Sequence, residues 1–309
     1  MAKISIVFSF RNEEEVLPIL IEKITNVLNQ EPEDYELIFV NDDSLDNSVE
    51  VIRKHSHLAK NIKILNMSRR FGVEECFLAG IEHASGDAII LMYTDLQDPP
   101  EVIREMLREW RNGAEIVHTV RRKRVGEKMI KVVAAFLAYR LISKIADISI
   151  PKDSGEFKLI SKRVATHLLN LSENDPYLRG LIPWIGFKQA SVTYDLQPRA
   201  VGKSKVPLYG KKAWSVFLSG ITSFSFLPIS FFLVLGIFGT GICSISFIIE
   251  LILLAFNKIS SNIFIFTAIF LFLSIMMVQI GFLGNYIAKI YKDVRGRPRY
   301  IVKDIINVK

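Results

Sequence analysis

Cysteine is scarce in this sequence, and its scarcity excludes several classes of protein. Cys76 and Cys243 are the only two among 309 residues, and they indicate neither a disulfide framework nor a cysteine metal site. The segment from Met1 to Arg11 lacks a long apolar run and a small-residue cleavage site, so we interpret it as a first strand and not as a signal peptide. Repeats and low-complexity segments are also absent. The composition therefore disfavours a disulfide-stapled secreted domain and fits a reducing compartment.

Charge is missing from two long stretches in the second half of the chain. No charged residue occurs in the 37 positions from Ala213 to Ile249, nor in the 26 positions from Ile263 to Ala288. Each stretch exceeds the ~20 residues that a membrane-spanning helix needs, and buried core helices rarely run so far without charge. The predicted organisation is a globular domain over 1–200, a basic linker and juxtamembrane segment over 201–226, transmembrane helices over 227–256 and 263–288, and a basic tail over 289–309.

Basic residues flank both uncharged stretches. The tail from Lys289 onward carries seven Lys and Arg against two Asp, and the segment 199–212 carries five basic residues and no acidic one. The short loop Asn257–Asn262, between the two predicted helices, holds one basic residue, Lys258. By the positive-inside rule, the first domain and the tail are both expected on the cytoplasmic side of a membrane. The net charge of +7 is therefore assigned to membrane contact, and nucleic acid is not expected as a partner.

Strand and helix patterns alternate along the first 200 residues. Strands are predicted at 3–10, 36–40, 62–66, 88–93, 114–119 and 189–196, and helices at 14–28, 48–55, 73–84, 99–111 and 162–171. Such alternation predicts an α/β fold of the Rossmann-like kind, with a mainly parallel sheet covered by helices on both faces. Ligands of these sheets bind at the carboxyl ends of the strands.

Polar segments follow the first four predicted strands. They are Ser9–Glu13, Asn41–Ser44, Ser68–Gly72 and Thr94–Asp98. One such segment alone is as typical of a turn or a helix cap as of a site. Four segments rich in carboxylates and arginines, all at one edge of the predicted sheet, indicate a binding site.

The fourth segment, within the stretch LMYTDLQDPPE, has two interpretations. Asp95 and Gln97 leave a strongly apolar strand, and their oxygen atoms suit Mg²⁺ or Mn²⁺ bound together with a diphosphate. Asp98 precedes Pro99 and Pro100, a pattern typical of a helix start. We therefore predict metal binding for Asp95 and Gln97, and mainly helix capping for Asp98.

Two further groups are candidates for contact with an anionic substrate. The segment Val120–Arg124, with Lys128 and Lys131, is either a solvated charge run or a receiver for a lipid phosphate, for which arginine is well suited. Arg179 and the basic segment 199–205 offer further phosphate donors. The segment Asp153–Lys158 places two carboxylates beside a Ser-Gly turn, where one would act as a base or orient an acceptor. An ordinary surface loop is an equally good interpretation of that segment.

Taken together, these motifs resemble the polyprenyl-phosphate glycosyltransferases of glycosyltransferase family 2, relatives of dolichol-phosphate mannose synthase. The two-span bactoprenol glucosyltransferases are the most similar subgroup. The likeness runs from Ile4 to about Tyr300, nearly the whole chain. The segments that carry it are, in order, Arg11–Glu14, Val40–Ser44, Arg70–Gly72, Ala84–Asp87, Asp95–Glu101, Arg179–Gly180 with Trp184 and Gly186, and Gly202–Lys205.

The resemblance implies a GT-A fold that binds a nucleotide sugar and transfers the sugar, with inversion, to a polyprenyl phosphate. It implies that the nucleotide sugar is bound by Glu13, Asp42 and Arg70, and the metal and diphosphate by Asp95 and Gln97. The residues it assigns to the acceptor phosphate or the diphosphate are Arg121, Arg124, Lys128, Arg179, Arg199 and Lys203. Glu156, with Asp153 nearby, stands where these enzymes commonly have a proposed base. A UDP-glucose donor, a tetramer and a bacterial cytoplasmic membrane are implied in the same way.

The sequence departs from the family pattern at two positions. Tyr93 stands where the first Asp of an Asp-x-Asp motif is usual, and Asp43 replaces a usual Gly. A phenol is a poor ligand for Mg²⁺, so either Asp95 and Gln97 suffice with the diphosphate oxygens or metal dependence is weakened. Two hypotheses follow. One is an active enzyme that makes a polyprenyl-phosphate hexose, which the intact remaining motifs favour, and the other is a degenerate membrane-anchored scaffold that binds nucleotide sugars.

Overall fold

A computed structural model describes residues 2–59, 61–124, 154–171, 173, 176–197, 245, 248–249 and 262–308. Four predicted site residues lie outside the described residues, namely Lys128, Asp153, Arg199 and Lys203. The predicted linker and most of the first predicted span lie outside them as well. The chain divides into two compact units, Met1–Gly220 with Arg297–Lys309, and Ile221–Gly296. The candidate site lies in the first unit.

The first unit is built on one eight-stranded sheet. Its strands are β1 (Lys3–Phe10), β2 (Asp34–Asn41), β3 (Ile62–Met67), β4 (Ala88–Tyr93), β5 (Ile116–Arg124), β6 (Ser154–Ser161), β7 (Gln189–Leu196) and β8 (Val302–Val308). Their order across the sheet is β7-β5-β6-β4-β1-β2-β3-β8. The pairings make six strands parallel to one another, whereas β6 and β8 run in the opposite direction. The predicted α/β sheet is confirmed, and it is mixed.

Amphipathic helices cover the central strands. In the first unit they are α1 (Leu17–Leu28), α2 (Ser48–Lys54), α3 (Val73–Glu82), α4 (Val102–Arg111), α5 (Lys162–Leu169) and α6 (Leu178–Trp184). Helix α1 has a proline in its first turn, and its apolar face recurs every three or four residues, through Leu17, Leu20, Ile21, Ile24 and Leu28. Strands β1, β2 and β4 are buried along almost their whole length, as expected for a parallel sheet with both faces covered.

Two strands lie where the sequence predicted none. The segment Asp153–Lys158 was expected to be a turn or a surface loop, but Ser154 begins β6, which is buried throughout between β4 and β5. That expectation is wrong because Glu156 and Lys158 make the strand look polar, although each is only 1 % exposed. The basic tail also contains a strand, β8, which pairs with β3 at the edge of the sheet.

The second unit contains helix α7 (Asn262–Val294). Within the part of the chain that the structure describes, no helix qualifies by length and apolar character as a membrane crossing.

Candidate active site

The carboxyl ends of the parallel strands bring the four predicted polar segments to one edge of the sheet. Strand β1 lies between β2 and β4, and its last residue, Phe10, pairs with Asn41, the last residue of β2. The loops that follow are tied together, since the Asn12 backbone N–H donates a hydrogen bond to Ser44 Oγ (3.0 Å). The prediction of a common edge is confirmed.

Backbone strain is concentrated in these loops. Among the described residues, the non-glycine positions with positive φ are Asn12 (54°), Asp43 (58°) and Leu96 (56°). Each lies in one of the segments after a strand, and such torsions collect where the surrounding structure imposes a special geometry, as at ligand sites. Asp43 replaces a glycine usual in the resembling family, and its torsion explains why glycine suits that position.

Asp42 fixes the loop that carries Arg70. Its side chain is buried, and Oδ1 accepts hydrogen bonds from the backbone N–H groups of Phe71 (2.7 Å) and Gly72 (3.2 Å). Arg70 itself is exposed at the same edge. Glu13 follows β1, and its backbone N–H donates to Ser48 Oγ (2.9 Å) at the start of α2. The structure thus brings together the three residues predicted to bind the nucleotide sugar, with Asp42 coupled to the Arg70 loop.

Asp95 and Gln97 are half-buried in the bend after β4. The Gln97 N–H donates to Asp95 Oδ1 (3.2 Å), so both residues stay in one tight bend. Among the residues the structure describes, no three His, Cys, Asp or Glu side chains are grouped as metal ligands. Asp95 carries carboxylate oxygens and Gln97 an amide oxygen, both donor types that Mg²⁺ accepts, and their binding of an ion stays a prediction.

Tyr93 faces Arg179. The charge of that guanidinium acts on the Tyr93 hydroxyl, and the Tyr93 ring contacts Phe77 with the centroids 5.7 Å apart. Burial, followed by the negative charge of Glu156, raises the pKa of the phenol. A neutral phenol is a poor ligand for Mg²⁺, and Asp95 is the one carboxylate present at the Asp-x-Asp position.

Arg121 is held by a buried carboxylate and a phenol. Its Nη2 lies 3.7 Å from Asp98 Oδ1, its Nε donates to the Tyr194 hydroxyl (3.1 Å), and that hydroxyl donates to Asp98. Gly155 lies against the guanidinium. The predicted capping role of Asp98 is wrong, since Glu101 occupies the N-cap position of α4 and Asp98 binds Tyr194 and Arg121 instead.

Arg179 is held in a similar way by Glu156. Its Nε donates to Glu156 Oε1, and the Arg179 side chain is 26 % exposed whereas that of Glu156 is 1 % exposed. For Arg121 and Asp98 the corresponding values are 23 % and 2 %. Because β6 runs antiparallel to its neighbours, its first residues meet the carboxyl ends of β4 and β5. The site thus presents two partly exposed arginines, each backed by a buried carboxylate.

Three further residues of the site were not predicted from the sequence: Glu74, Lys158 and Tyr194. Burial, followed by the charge of Glu156, raises the pKa of Glu74 well above its usual value. Burial lowers the pKa of Lys158. Of these three residues, only Tyr194 could have been predicted from the sequence. It occupies a buried position of β7, a strand in which buried and exposed residues alternate, and a buried hydroxyl needs a hydrogen-bond partner.

Arg124, the remaining predicted phosphate contact within the described residues, ends β5 and pairs with Leu196. Its neighbour Arg122 donates from Nη2 to Thr193 Oγ1 (2.8 Å) and is exposed. The first residues of the charge run after Val120 therefore belong to strand β5 and not to a solvated loop. Arg121 and Arg122 bond to different residues, Tyr194 and Thr193.

Comparison with known proteins identifies the family. Residues 5–169 match the family described as Glycosyl transferase family 2. The chain is 40 % identical over 301 residues to the uncharacterized glycosyltransferase YkcC of Bacillus subtilis, with 97 % of this chain and 93 % of that one covered. It is 34 % identical over 307 residues to the SfII prophage-derived bactoprenol glucosyl transferase of Shigella flexneri, with 97 % of each covered.

The chain belongs to glycosyltransferase family 2, and it is a transferase with a GT-A α/β fold built on a mixed sheet. A third relative, the uncharacterized glycosyltransferase sll0501 of Synechocystis, is 34 % identical over 305 residues and covers 98 % of this chain and 95 % of its own. The resemblance inferred from the motifs is confirmed.

Proposed function

We propose that this enzyme transfers a hexose, with inversion, from a nucleotide sugar to a polyprenyl phosphate such as undecaprenyl phosphate, and that the donor is UDP-glucose. The product would be a lipid-linked sugar used to modify cell-surface glycans. The observation that carries the proposal is the pair of carboxylate-backed arginines, Arg121 and Arg179, at the strand edge that also bears Asp95. The names of the bactoprenol glucosyl transferases support the lipid acceptor and the glucose.

The arginine pair suits a phosphate acceptor. Guanidinium groups match phosphate oxygens in geometry, and a buried carboxylate behind each one fixes its direction before the substrate arrives. An acceptor phosphate is already an anion near neutral pH, so its attack on the sugar needs orientation more than a strong base. This agrees with the burial of Glu156 and its bond to Arg179, which make it a group that orients an arginine.

Asp95 and Gln97 are proposed to face the diphosphate of the donor, together with Mg²⁺ or Mn²⁺. When bound, the ion would offset the negative charge that develops on the departing diphosphate. Asp42, Glu13 and Arg70 are proposed to bind the rest of the nucleotide sugar, and Asp42 also holds the Arg70 loop in place. Lys128, Asp153, Arg199 and Lys203 stay predictions as further contacts of the acceptor or the diphosphate.

A membrane location completes the proposal. The two uncharged stretches of the sequence, Ala213–Ile249 and Ile263–Ala288, support two transmembrane helices with basic flanks on the cytoplasmic side of a bacterial inner membrane. A lipid acceptor requires the site to meet the membrane surface, and such anchoring supplies that proximity. A homotetramer is proposed from the family resemblance alone.

The test is transfer by the purified full-length chain. Undecaprenyl phosphate and radiolabelled nucleotide sugars, with and without EDTA, are expected to give an organic-extractable labelled lipid from UDP-glucose that EDTA diminishes. Arg121→Ala should raise KM for the acceptor, whereas Arg122→Ala, an exposed arginine on the same strand bonded to Thr193, should not. Absence of transfer from every donor, or an Asp95→Asn variant that works normally in the cell, would favour the degenerate scaffold.

A further inference from the structure

Two carboxylates that interact electrostatically each have a buried oxygen without a hydrogen-bond partner. These oxygens are Oε2 of Glu74, in the first turn of α3, and Oε2 of Glu156, near the start of β6. Only four side-chain atoms in the described part of the chain are buried in this way. Unpaired buried polar atoms are costly, so two acceptors together require an explanation.

The charged groups around Glu74 come from three elements, and a fourth element adds a phenol. They are Glu75 on α3, Glu156 and Lys158 on β6, and Arg179 on α6, with the phenol of Tyr93 at the end of β4 close to Arg179. Arg179 donates a hydrogen bond from Nε to Oε1 of Glu156. The other oxygen of that carboxylate, Oε2, has no hydrogen-bond partner. The surroundings therefore contain two cations but supply no donor to either unpaired oxygen.

A single proton on one of the two carboxylates would supply the missing hydrogen-bond donor. An ionised carboxylate only accepts hydrogen bonds, whereas a protonated one also donates. Two neighbouring carboxylates in a buried place do not both ionise readily, because each charge disfavours the other. Of the two, Glu156 accepts a hydrogen bond from Arg179, while Oε2 of Glu74 has no such partner, so the proton is assigned to Glu74. Burial and the charge of Glu156 raise the pKa of Glu74, which agrees with this assignment.

We propose that Glu74 is a positioning residue that carries a proton in the folded protein and directs it toward Glu156, so that Glu156 keeps its bond to Arg179. Through Glu156, Glu74 thereby determines the orientation of the partly exposed Arg179 side chain. The role in catalysis rests on the proposed function, in which Arg179 receives a phosphate. The protonation of Glu74 is independent of that function.

The kinetic test compares two substitutions of Glu74 in the full-length enzyme. Glu74→Gln keeps the shape and supplies an N–H donor, so it should retain kcat within about twofold of the unaltered enzyme, whereas Glu74→Ala should lower kcat by up to about a hundredfold through misplacement of Arg179. KM for the nucleotide sugar should change little in both. Glu50→Gln, which neutralises an exposed glutamate in the first turn of α2, is the matched control and should have no effect.

A spectroscopic test needs no substrate. The infrared spectrum at neutral pH should contain the carbonyl band of a protonated carboxylic acid that disappears in Glu74→Gln and persists in Glu50→Gln. The proposal would be overturned if the band persisted in both variants. It would also be overturned if the Glu74→Gln enzyme were as impaired as Glu74→Ala. If no sugar is transferred at all, the band still decides whether Glu74 is protonated, so failure of the proposed function is distinguishable from failure of this inference.

Discussion

Gly155 controls where the Arg121 side chain can lie. A methyl group at Gly155 would stand 3.0 Å from Arg121 Nη2 and 3.4 Å from Cζ, closer than ordinary van der Waals contact. We expect Gly155→Ala to displace the guanidinium and raise KM for the polyprenyl phosphate about tenfold, the effect of losing one charge-assisted hydrogen bond. Steady-state kinetics with varied acceptor would measure it. Gly284→Ala, where nothing lies within 4 Å, is the control, and equal KM values in both variants would contradict the prediction.

His118 makes the stability of the folded protein depend on pH. It is buried in β5, its Nε2 lies 2.8 Å from Gln189 Oε1, and burial followed by the charge of Lys158 lowers its pKa from 6.5 to about 4. Because the unfolded chain takes up this proton first, the stability that neutral His118 contributes is complete above the unfolded pKa. That stability is lost as the pH falls from 6.5 toward about 4.

Urea unfolding across this pH range would test the assignment. The free energy of unfolding should fall by at most about 1.4 kcal/mol per pH unit on account of His118, and His118→Gln should show a shallower slope. His57→Gln, an exposed histidine, should keep the original slope. An unchanged slope in His118→Gln would show that other groups cause the acid dependence.

At the residue scale, the sequence identified groups by type but not by partner. Asp95 and Gln97 could be singled out because they follow a strongly apolar strand, and Arg121 and Arg179 because arginine suits an anionic substrate, although Arg121 lies within β5 and Arg179 in the first turn of α6. Glu74 could not, since it reads as an ordinary first-turn glutamate that favours the helix dipole. Its burial beside Glu156 arises from a contact across 82 residues of chain, which a local pattern does not contain.

Among the elements, β8 contributes to stability through one face. Ile306 pairs with Ile64 and packs against the hydrophobic core, whereas its neighbour Ile305 is 45 % exposed. We expect Ile306→Ala to lower the free energy of unfolding by about 1–2 kcal/mol, because it removes partly buried apolar surface. Ile305→Ala should change it by less than about 0.5 kcal/mol. Chemical denaturation of the two variants would measure the difference, and equal losses would mean that β8 does not pack on the core by this face.

The strands and helices that could be predicted from the sequence are those whose buried residues form a continuous apolar run or recur with the period of a helix. The strands β1 to β4 and the helices between them lie close to their predicted bounds, because apolar runs and amphipathic faces mark them. Strand β6 escaped prediction because its central position buries Glu156 and Lys158, and because Arg179, the ion-pair partner of Glu156, lies 23 residues further along the chain. Strand β8 escaped it because an edge strand with Lys303 and Asp304 resembles a polar tail.

For the whole molecule, the pairing of β8 with β3 constrains topology. Asn66 Nδ2 donates to Asp304 Oδ1 (2.6 Å), and the Ser68 N–H donates to the Ile301 carbonyl (2.9 Å). A strand that follows both uncharged stretches lies in the same sheet as strands that precede them, so an even number of membrane crossings must separate them. Reporter fusions at the two ends should therefore lie on the same side, which is the cytoplasmic side in the proposed orientation. Reporters on opposite sides would contradict the pairing, whereas two reporters on the other side of the membrane would contradict the orientation.

The same pairing also fixes an order of events during synthesis. Asn66 and Asp304 are 238 residues apart, so β3 leaves the ribosome long before its partner exists. Until then, the outer edge of β3 has open hydrogen-bonding groups, the kind of edge that recruits other chains. The sheet is completed only after both uncharged stretches of the chain have been translated, so a chain that stalls there would carry a formed candidate-site edge and an unpaired, aggregation-prone outer strand.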